Sequence, residues 1–77
     1  MSKQKKFHFV IPGNDVYEEL PTTRAAIFSA VNLSQVFHVK LYRVLDGDKE
    51  QLLFDSKKCQ ARTIDGILKW AEKGGRP

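Results

Sequence analysis

The segment VFHVKLYRVLDGDKEQLLF, residues 36–54, constrains the fold more than any other part of the sequence. Apolar and polar residues alternate before Asp46-Gly47, and an Asp-Gly pair beside such a run is typical of a β-hairpin turn. We predict that Asp48-Lys49 widens the turn to a four-residue loop, and that the return strand covers residues 50–55. Inward-facing residues are then Phe37, Val39, Leu41, Leu45, Leu52 and Phe54. Outward-facing residues are Val36, His38, Lys40, Tyr42, Val44 and Leu53.

Three further elements follow from local patterns. Residues 5–11 alternate and predict a half-buried strand with Lys6, His8 and Val10 outward, followed by a loop over residues 12–21. Pro21-Thr22-Thr23 predicts the start of a helix that ends near residues 32–34. Thr63 predicts the cap of a second helix, whose apolar stripe has helical spacing and which Gly74-Gly75 ends.

The order strand, helix, strand, strand, helix predicts a two-layer α+β domain. A helix joins the first two strands, which favours a parallel crossover, whereas the last two strands form an antiparallel hairpin. We therefore expect a βαββα domain with a three-stranded mixed sheet and both helices on one face. The single domain covers residues 7–77, after a basic tail over residues 1–6.

The net charge of +4 belongs mostly to this tail. Three of the 13 Lys and Arg residues lie in the first six positions, which leaves ten against nine Asp and Glu in the remainder. The tail either serves solubility or is a short arm attracted to phosphates or to an acidic partner. No apolar run approaches the roughly 20 residues of a membrane helix, so we expect a cytoplasmic protein with no membrane partner.

No pattern of catalytic or metal-binding residues stands out. His8 and His38 are too few to form a zinc site, and we expect both to be surface residues of the sheet. Cys59 has cationic neighbours but no partner base, and we interpret it as a core filler. Asp46 and Asp48 fit turn chemistry better than a calcium loop. The sequence therefore predicts a protein that is not an enzyme and that needs no cofactor.

The outward sheet face is the best candidate for a functional site. It mixes aromatic, basic and apolar residues, and a contiguous patch of this kind often marks a contact surface. The predicted partner-binding residues are Lys6, His8, His38, Lys40, Tyr42 and Val44. Trp70 is a further candidate anchor, although a place at the seam between helix and sheet is favoured.

Two classes of partner remain open at this point. The first prediction is a small regulatory protein that docks onto a larger protein, of the kind that serves as an accessory or inhibitory factor in bacteria and their phages. The alternative is a small nucleic-acid-binding module that uses the same basic and aromatic face. Its additional contacts would be Lys3, Lys5, Lys57, Lys58 and Arg62. A homodimer also stays open, because it would add buried area to a small chain.

Overall fold

The computed structural model describes residues 4–74, which form one antiparallel sheet covered on one face by two helices. The elements are β1 (Lys5–Ile11), β2 (Asn14–Leu20), α1 (Thr23–Ser34), β3 (Lys40–Val44), β4 (Glu50–Asp55) and α2 (Ile64–Glu72). The strands have the spatial order β2-β1-β3-β4. A short 3-10 turn over Asp46–Asp48 joins the last two strands.

The two-layer α+β class is confirmed, but the predicted three-stranded mixed sheet is wrong. Residues 14–20, which we expected to be a loop, form β2 and pair with β1 in an antiparallel hairpin. Gly13, with φ of 77°, makes the tight turn between them. Because β2 reverses the chain before α1, β3 pairs antiparallel to β1 rather than parallel to it.

The core lies between the helices and one face of the sheet. Phe7 and Phe54 are fully buried on the sheet side, and Ile27 and Ile67 face them from the two helices. Burial of each such side chain contributes about 1.5–3 kcal/mol. The expectation that both helices pack on the same face is confirmed, because residues of α1, α2 and the sheet belong to one apolar cluster.

Both helices begin at the predicted threonines. The Thr22 hydroxyl accepts a hydrogen bond from the Ala25 amide at 3.1 Å, and the Thr63 hydroxyl accepts one from the Gly66 amide at 3.2 Å. After α2, Gly74 takes a positive φ of 76°, while Gly75 lies outside the described residues. Neither α1 nor α2, the helices within residues 4–74, is long and apolar enough to cross a membrane.

The β3–β4 hairpin departs from the strict alternation that we predicted. Its register shifts between Leu41 and Tyr42, so that Leu41 pairs with Phe54 but Tyr42 pairs with Leu52. This bulge places Leu52 on the face with Tyr42 and leaves Leu53 buried, which corrects their predicted orientations.

The inward positions at the two ends of the hairpin are also corrected. Phe37 lies before the start of β3 and is 43% exposed, and Leu45 lies after its end and is 39% exposed. Val36 and His38, which we assigned to the outward strand face, also lie in the connection that precedes β3.

Candidate binding surface on the open sheet face

The face of the sheet opposite the helices, here called the open face, carries one row of residues from each strand. Directly opposed residues of antiparallel strands share a face, so the strand register defines its membership. The rows are Lys6, His8 and Val10 on β1; Asp15, Tyr17 and Glu19 on β2; Lys40, Tyr42 and Val44 on β3; and Glu50, Leu52 and the buried Asp55 on β4.

His8 lies at the centre of the open face, between two tyrosines. Its ring stacks on Tyr17 with centroids 4.2 Å apart and planes within 8° of parallel. Tyr42 is its opposed residue on β3, with a centroid distance of 5.9 Å and a tilt of 34°. Lys6 Nζ lies 5.3 Å from the centroid of Tyr17. Aromatic pairs of this geometry contribute about 0.5–1.5 kcal/mol each beyond area burial, so the row is a fixed feature of the sheet.

Two carboxylates approach the His8 ring from the outer strands. Nδ1 lies 2.9 Å from Glu50 Oε1, within hydrogen-bond distance, and Nε2 lies 3.5 Å from Asp15 Oδ2. Glu50 belongs to β4 and Asp15 to β2, so His8 lies between carboxylates of the two edge strands. Only 8% of His8 is exposed, and the expectation of a surface histidine is therefore wrong at this position.

The charges of the open face are mixed. Lys6 and Lys40 lie beside Asp15, Glu19 and Glu50, and all five are exposed. Tyr17, with 53% exposure, presents an aromatic surface among them. The open face is therefore an aromatic centre with a rim of both charge signs, and it is not a uniformly basic surface.

The structure brings together most of the predicted partner-binding residues. Lys6, His8, Lys40 and Tyr42 lie on adjacent strands, and Val44 ends the β3 row opposite Glu50. The remaining candidate of that set, His38, lies in the segment before β3 and is exposed at the end of the sheet.

Trp70, the candidate anchor, packs in the core. It lies on α2 with 8% exposure, as part of the apolar cluster between helices and sheet. The structure thus gives Trp70 a packing position and leaves little of its surface for a partner.

The candidate nucleic-acid contacts do not form one group. Lys5 begins β1, so the strand takes in the last two residues of the basic segment, whereas Lys57 and Lys58 lie in the turn after β4 at the opposite end of the sheet. The seven residues of β1 separate these ends by about 20 Å. Lys3 lies outside the described residues.

Arg62, the remaining nucleic-acid candidate, is held by the backbone of its own loop. Its guanidinium donates hydrogen bonds to the carbonyl oxygens of Cys59 at 2.6 Å, Ala61 at 2.9 Å and Ser56 at 3.4 Å. It also lies 5.7 Å from the ring centroid of Phe54. These contacts fix the connection between β4 and α2.

A groove of about 770 Å³ lies where β1 meets β2 and where β3 begins. It is lined by apolar residues that include Val10 and Ile11, by lysines of β3 and of the turn after β4, and by Asp15 and Asp55. We call this feature the basic groove. The basic residues that line it are His38, Lys40, Lys57 and Lys58.

Sequence reasoning missed Asp15 and Tyr17 as members of the site. Both lie on β2, in a segment that we interpreted as a loop. The available signal was the spacing of Val16 and Leu20, both half-buried against the core, with Tyr17 on the opposite parity. Acidic residues are depleted in strands, which weakened that signal.

Cys59 does not extend the site to nucleophilic chemistry. Its side chain is 1% exposed, and burial raises the pKa of the thiol, which disfavours the thiolate. Within residues 4–74, the structure brings together no group of three or more His, Cys, Asp or Glu residues that could hold a metal ion.

Comparisons of the chain with protein-family models, with curated proteins and with solved structures gave no match. Function is therefore inferred from the geometry of the open face and of the basic groove.

Proposed function

We propose that this protein is a non-enzymatic binding protein that regulates a larger protein by docking its open face onto that partner. The observation that carries the proposal is the Tyr17–His8–Tyr42 row on a sheet face that no helix within residues 4–74 covers.

The row is organised before any partner arrives. Stacking on Tyr17 and the contact with Glu50 hold His8 in place, and Tyr17 keeps more than half of its surface accessible. Ordered side chains lose little conformational entropy on association, which favours affinity. Tyrosine is also enriched among the residues that dominate binding energy at protein interfaces.

The charge of the open face favours a protein partner over a nucleic acid. A phosphate backbone would approach Asp15, Glu19 and Glu50 as well as the two lysines, and the like charges would oppose binding. A protein surface with an apolar centre and groups of both signs is complementary to this arrangement. The alternative of a nucleic acid on the open face thus has less support from the geometry.

The open face is smaller than the surface that one protein contributes to a standard interface. Four strands at about 4.8 Å spacing and about 18 Å length cover roughly 350 Å². A standard interface uses about 800 Å² from each partner. The partner must therefore also contact an edge of the sheet, where Tyr17 and Glu19 lie on β2.

The test compares Tyr17→Ala with Phe28→Ala. Both residues are exposed aromatics, with 53% and 59% exposure, but Phe28 lies on α1 in the opposite layer. Each tagged variant is incubated with nuclease-treated bacterial lysate, and bound proteins are quantified by mass spectrometry. We expect one defined protein to be retained by wild type and Phe28→Ala and lost from Tyr17→Ala. With the purified partner, titration calorimetry should show at least tenfold weaker binding for Tyr17→Ala.

Three results would overturn the proposal. The first is equal retention of every bound protein by the two variants, and the second is loss of all binding after nuclease treatment. The third is a dimer, seen by light scattering, that Tyr17→Ala dissociates, because the open face would then serve a second copy of the chain. A Lys40→Glu, Tyr42→Ala double variant that loses binding without a large change in Tm provides an independent check on the same face.

A further inference from the structure

The lysines of the basic groove have no acidic partner within the described chain. Lys40, Lys57 and Lys58 are exposed, and none of them forms an ion pair within residues 4–74. Two carboxylates also line the groove, against three lysines. Asp15 faces His8, and Asp55, with 3% exposure, accepts a hydrogen bond from the Lys57 amide at 2.9 Å.

The turn that carries Lys57 and Lys58 is tightly held. The amides of Lys58 and Cys59 donate to the Asp55 carbonyl oxygen at 3.0 Å and 2.7 Å. The Ser56 amide donates to the Val39 carbonyl oxygen at 2.9 Å, and the Ser56 hydroxyl accepts from the Val39 amide at 2.8 Å. The two lysines therefore extend from a fixed backbone at the end of the sheet.

A second group of lysines adjoins the basic groove at Lys58. A second depression of about 330 Å³ is lined by Lys58, Lys69 and Lys73, and no acidic residue contributes to its wall. Lys69 and Lys73 are one helical turn apart on α2, so both lie on the same side. Lys58 lines both depressions. We call the combined feature the lysine track, and it consists of Lys40, Lys57, Lys58, Lys69 and Lys73.

We propose that the lysine track binds the phosphodiester backbone of a single-stranded nucleic acid. A series of lysines over two adjoining depressions suits a ligand with regularly repeated negative charges, and a positively charged groove that follows the backbone is typical of single-strand binding. The groove volume lies within the range of about 300–1,000 Å³ found for ligand pockets, and the half-buried Val10 and Ile11 add apolar surface against which an unstacked nucleotide can pack.

The lysine track meets the open face at one end of the sheet, because Val10, Asp15 and Lys40 belong to the open face and also line the basic groove. The protein would then bring a nucleic acid and a protein partner together. The two proposals can fail independently, because Tyr17 does not line the track.

The expected salt dependence follows from the number of lysines. If five phosphates are neutralised, the slope of log affinity against log salt concentration is about −3.5 for a single strand. Affinity should then fall about 100-fold between 50 mM and 200 mM salt.

The test uses fluorescence anisotropy of a labelled oligothymidylate of 20 nucleotides and compares two double variants. Lys57→Gln, Lys58→Gln removes two charges from the track. Lys5→Gln, Lys49→Gln removes two charges at the opposite end of the sheet and is the matched control. We expect the first variant to reduce the slope to about −2.1, so that the same salt step lowers its affinity only about 20-fold. The control should keep the wild-type slope.

Four results would overturn the inference. They are no binding at 50 mM salt, equal weakening by both double variants, equal affinity for a duplex of the same length, and equally effective competition by polyglutamate. Equal weakening would indicate attraction to overall charge, and competition by polyglutamate would indicate a site for acidic peptides. Thermal unfolding of each variant, followed by circular dichroism, shows that the fold is retained. Tyr17→Ala should bind the oligonucleotide as the wild type does.

Discussion

Gly66 offers a sharp test of local packing in α2. Sequence reasoning alone predicts that Gly66→Ala stabilises the protein, because glycine inside a helix costs about 1 kcal/mol relative to alanine. In the structure, however, a Cβ atom at this position would lie 2.9 Å from the Thr63 Oγ1 atom and 3.0 Å from the Ala61 Cβ atom. The hydroxyl that the new methyl group would displace is the one that caps the helix.

The expected energy combines three contributions. Alanine gains about 1 kcal/mol in helix propensity. Displacement of the Thr63 hydroxyl removes a cap worth about 0.5–2 kcal/mol. The new methyl group would also lie too close to the Ala61 side chain, and such overpacking typically costs about 1–3 kcal/mol. We therefore expect Gly66→Ala to lower the free energy of unfolding by about 0.5–4 kcal/mol, which reverses the sign given by propensity alone.

A double-mutant cycle of Thr63→Ala and Gly66→Ala isolates the contact between the new methyl group and the Thr63 hydroxyl. Thr63→Ala alone should cost about 1 kcal/mol, because the Gly66 amide loses its acceptor. In that background only the crowding against Ala61 remains, so Gly66→Ala should cost less by the capping contribution, and the two substitutions should couple by about 0.5–2 kcal/mol. Urea unfolding of the wild type, the two single variants and the double variant gives each free energy of unfolding, and equal m-values would show that the surface exposed on unfolding is unchanged. Stabilisation by about 1 kcal/mol that is the same in both backgrounds would refute the reasoning.

Four further predictions concern the core and the surface. Ile67→Ala should destabilise the fold by about 2–5 kcal/mol, whereas Leu68→Ala should cost less because Leu68 is only half-buried; similar losses in urea unfolding would contradict this packing. Burial of Cys59, which also raises the pKa of its thiol, predicts that iodoacetamide at pH 8 alkylates the native thiol more slowly than the thiol of the urea-unfolded chain, and equal rates would show that the thiol is accessible. The same shift predicts that this thiol contributes constant stability at neutral pH and loses it as alkaline pH ionises the unfolded chain first, which urea titrations at rising pH would detect. Arg24→Ala should change stability by less than about 1 kcal/mol, because its ion pair with Asp65 at 2.7 Å is exposed, and a larger loss would indicate a role beyond that pair.

The two proposed surfaces differ in whether their charged side chains lie close to groups of opposite charge. On the open face, carboxylates and His8 lie close to one another, and the exposed feature is the aromatic ring of Tyr17. On the lysine track, the lysines form no ion pair within residues 4–74, and the one fully buried carboxylate of the groove, Asp55, accepts a hydrogen bond from the Lys57 amide. One protein can therefore present two chemically distinct surfaces although its formal net charge is only +4.

Local signals in the sequence determined the helices and the turns. A threonine hydroxyl can cap only the amides two or three residues further along, so Thr22 and Thr63 locate the helix starts without knowledge of the fold. The Asp46-Gly47 pair similarly predicts a reversal between β3 and β4, and Gly47 takes a positive φ of 72° there. These features depend on contacts between residues that are close in the sequence, so they can be predicted without knowledge of the fold.

Tertiary structure decided the rest of the fold and most of the site. β2 contains acidic residues that disfavour a strand in isolation, and its pairing with β1 together with the burial of Val16 and Leu20 stabilises it. The bulge beside Tyr42 alters which residues of β4 share the open face. Burial of His8 depends on partners from three other strands, and Lys58 and Lys69 come together only when α2 packs beside β4. Each of these features is set by contacts between distant segments, and the free energy of such contacts exists only in the folded chain.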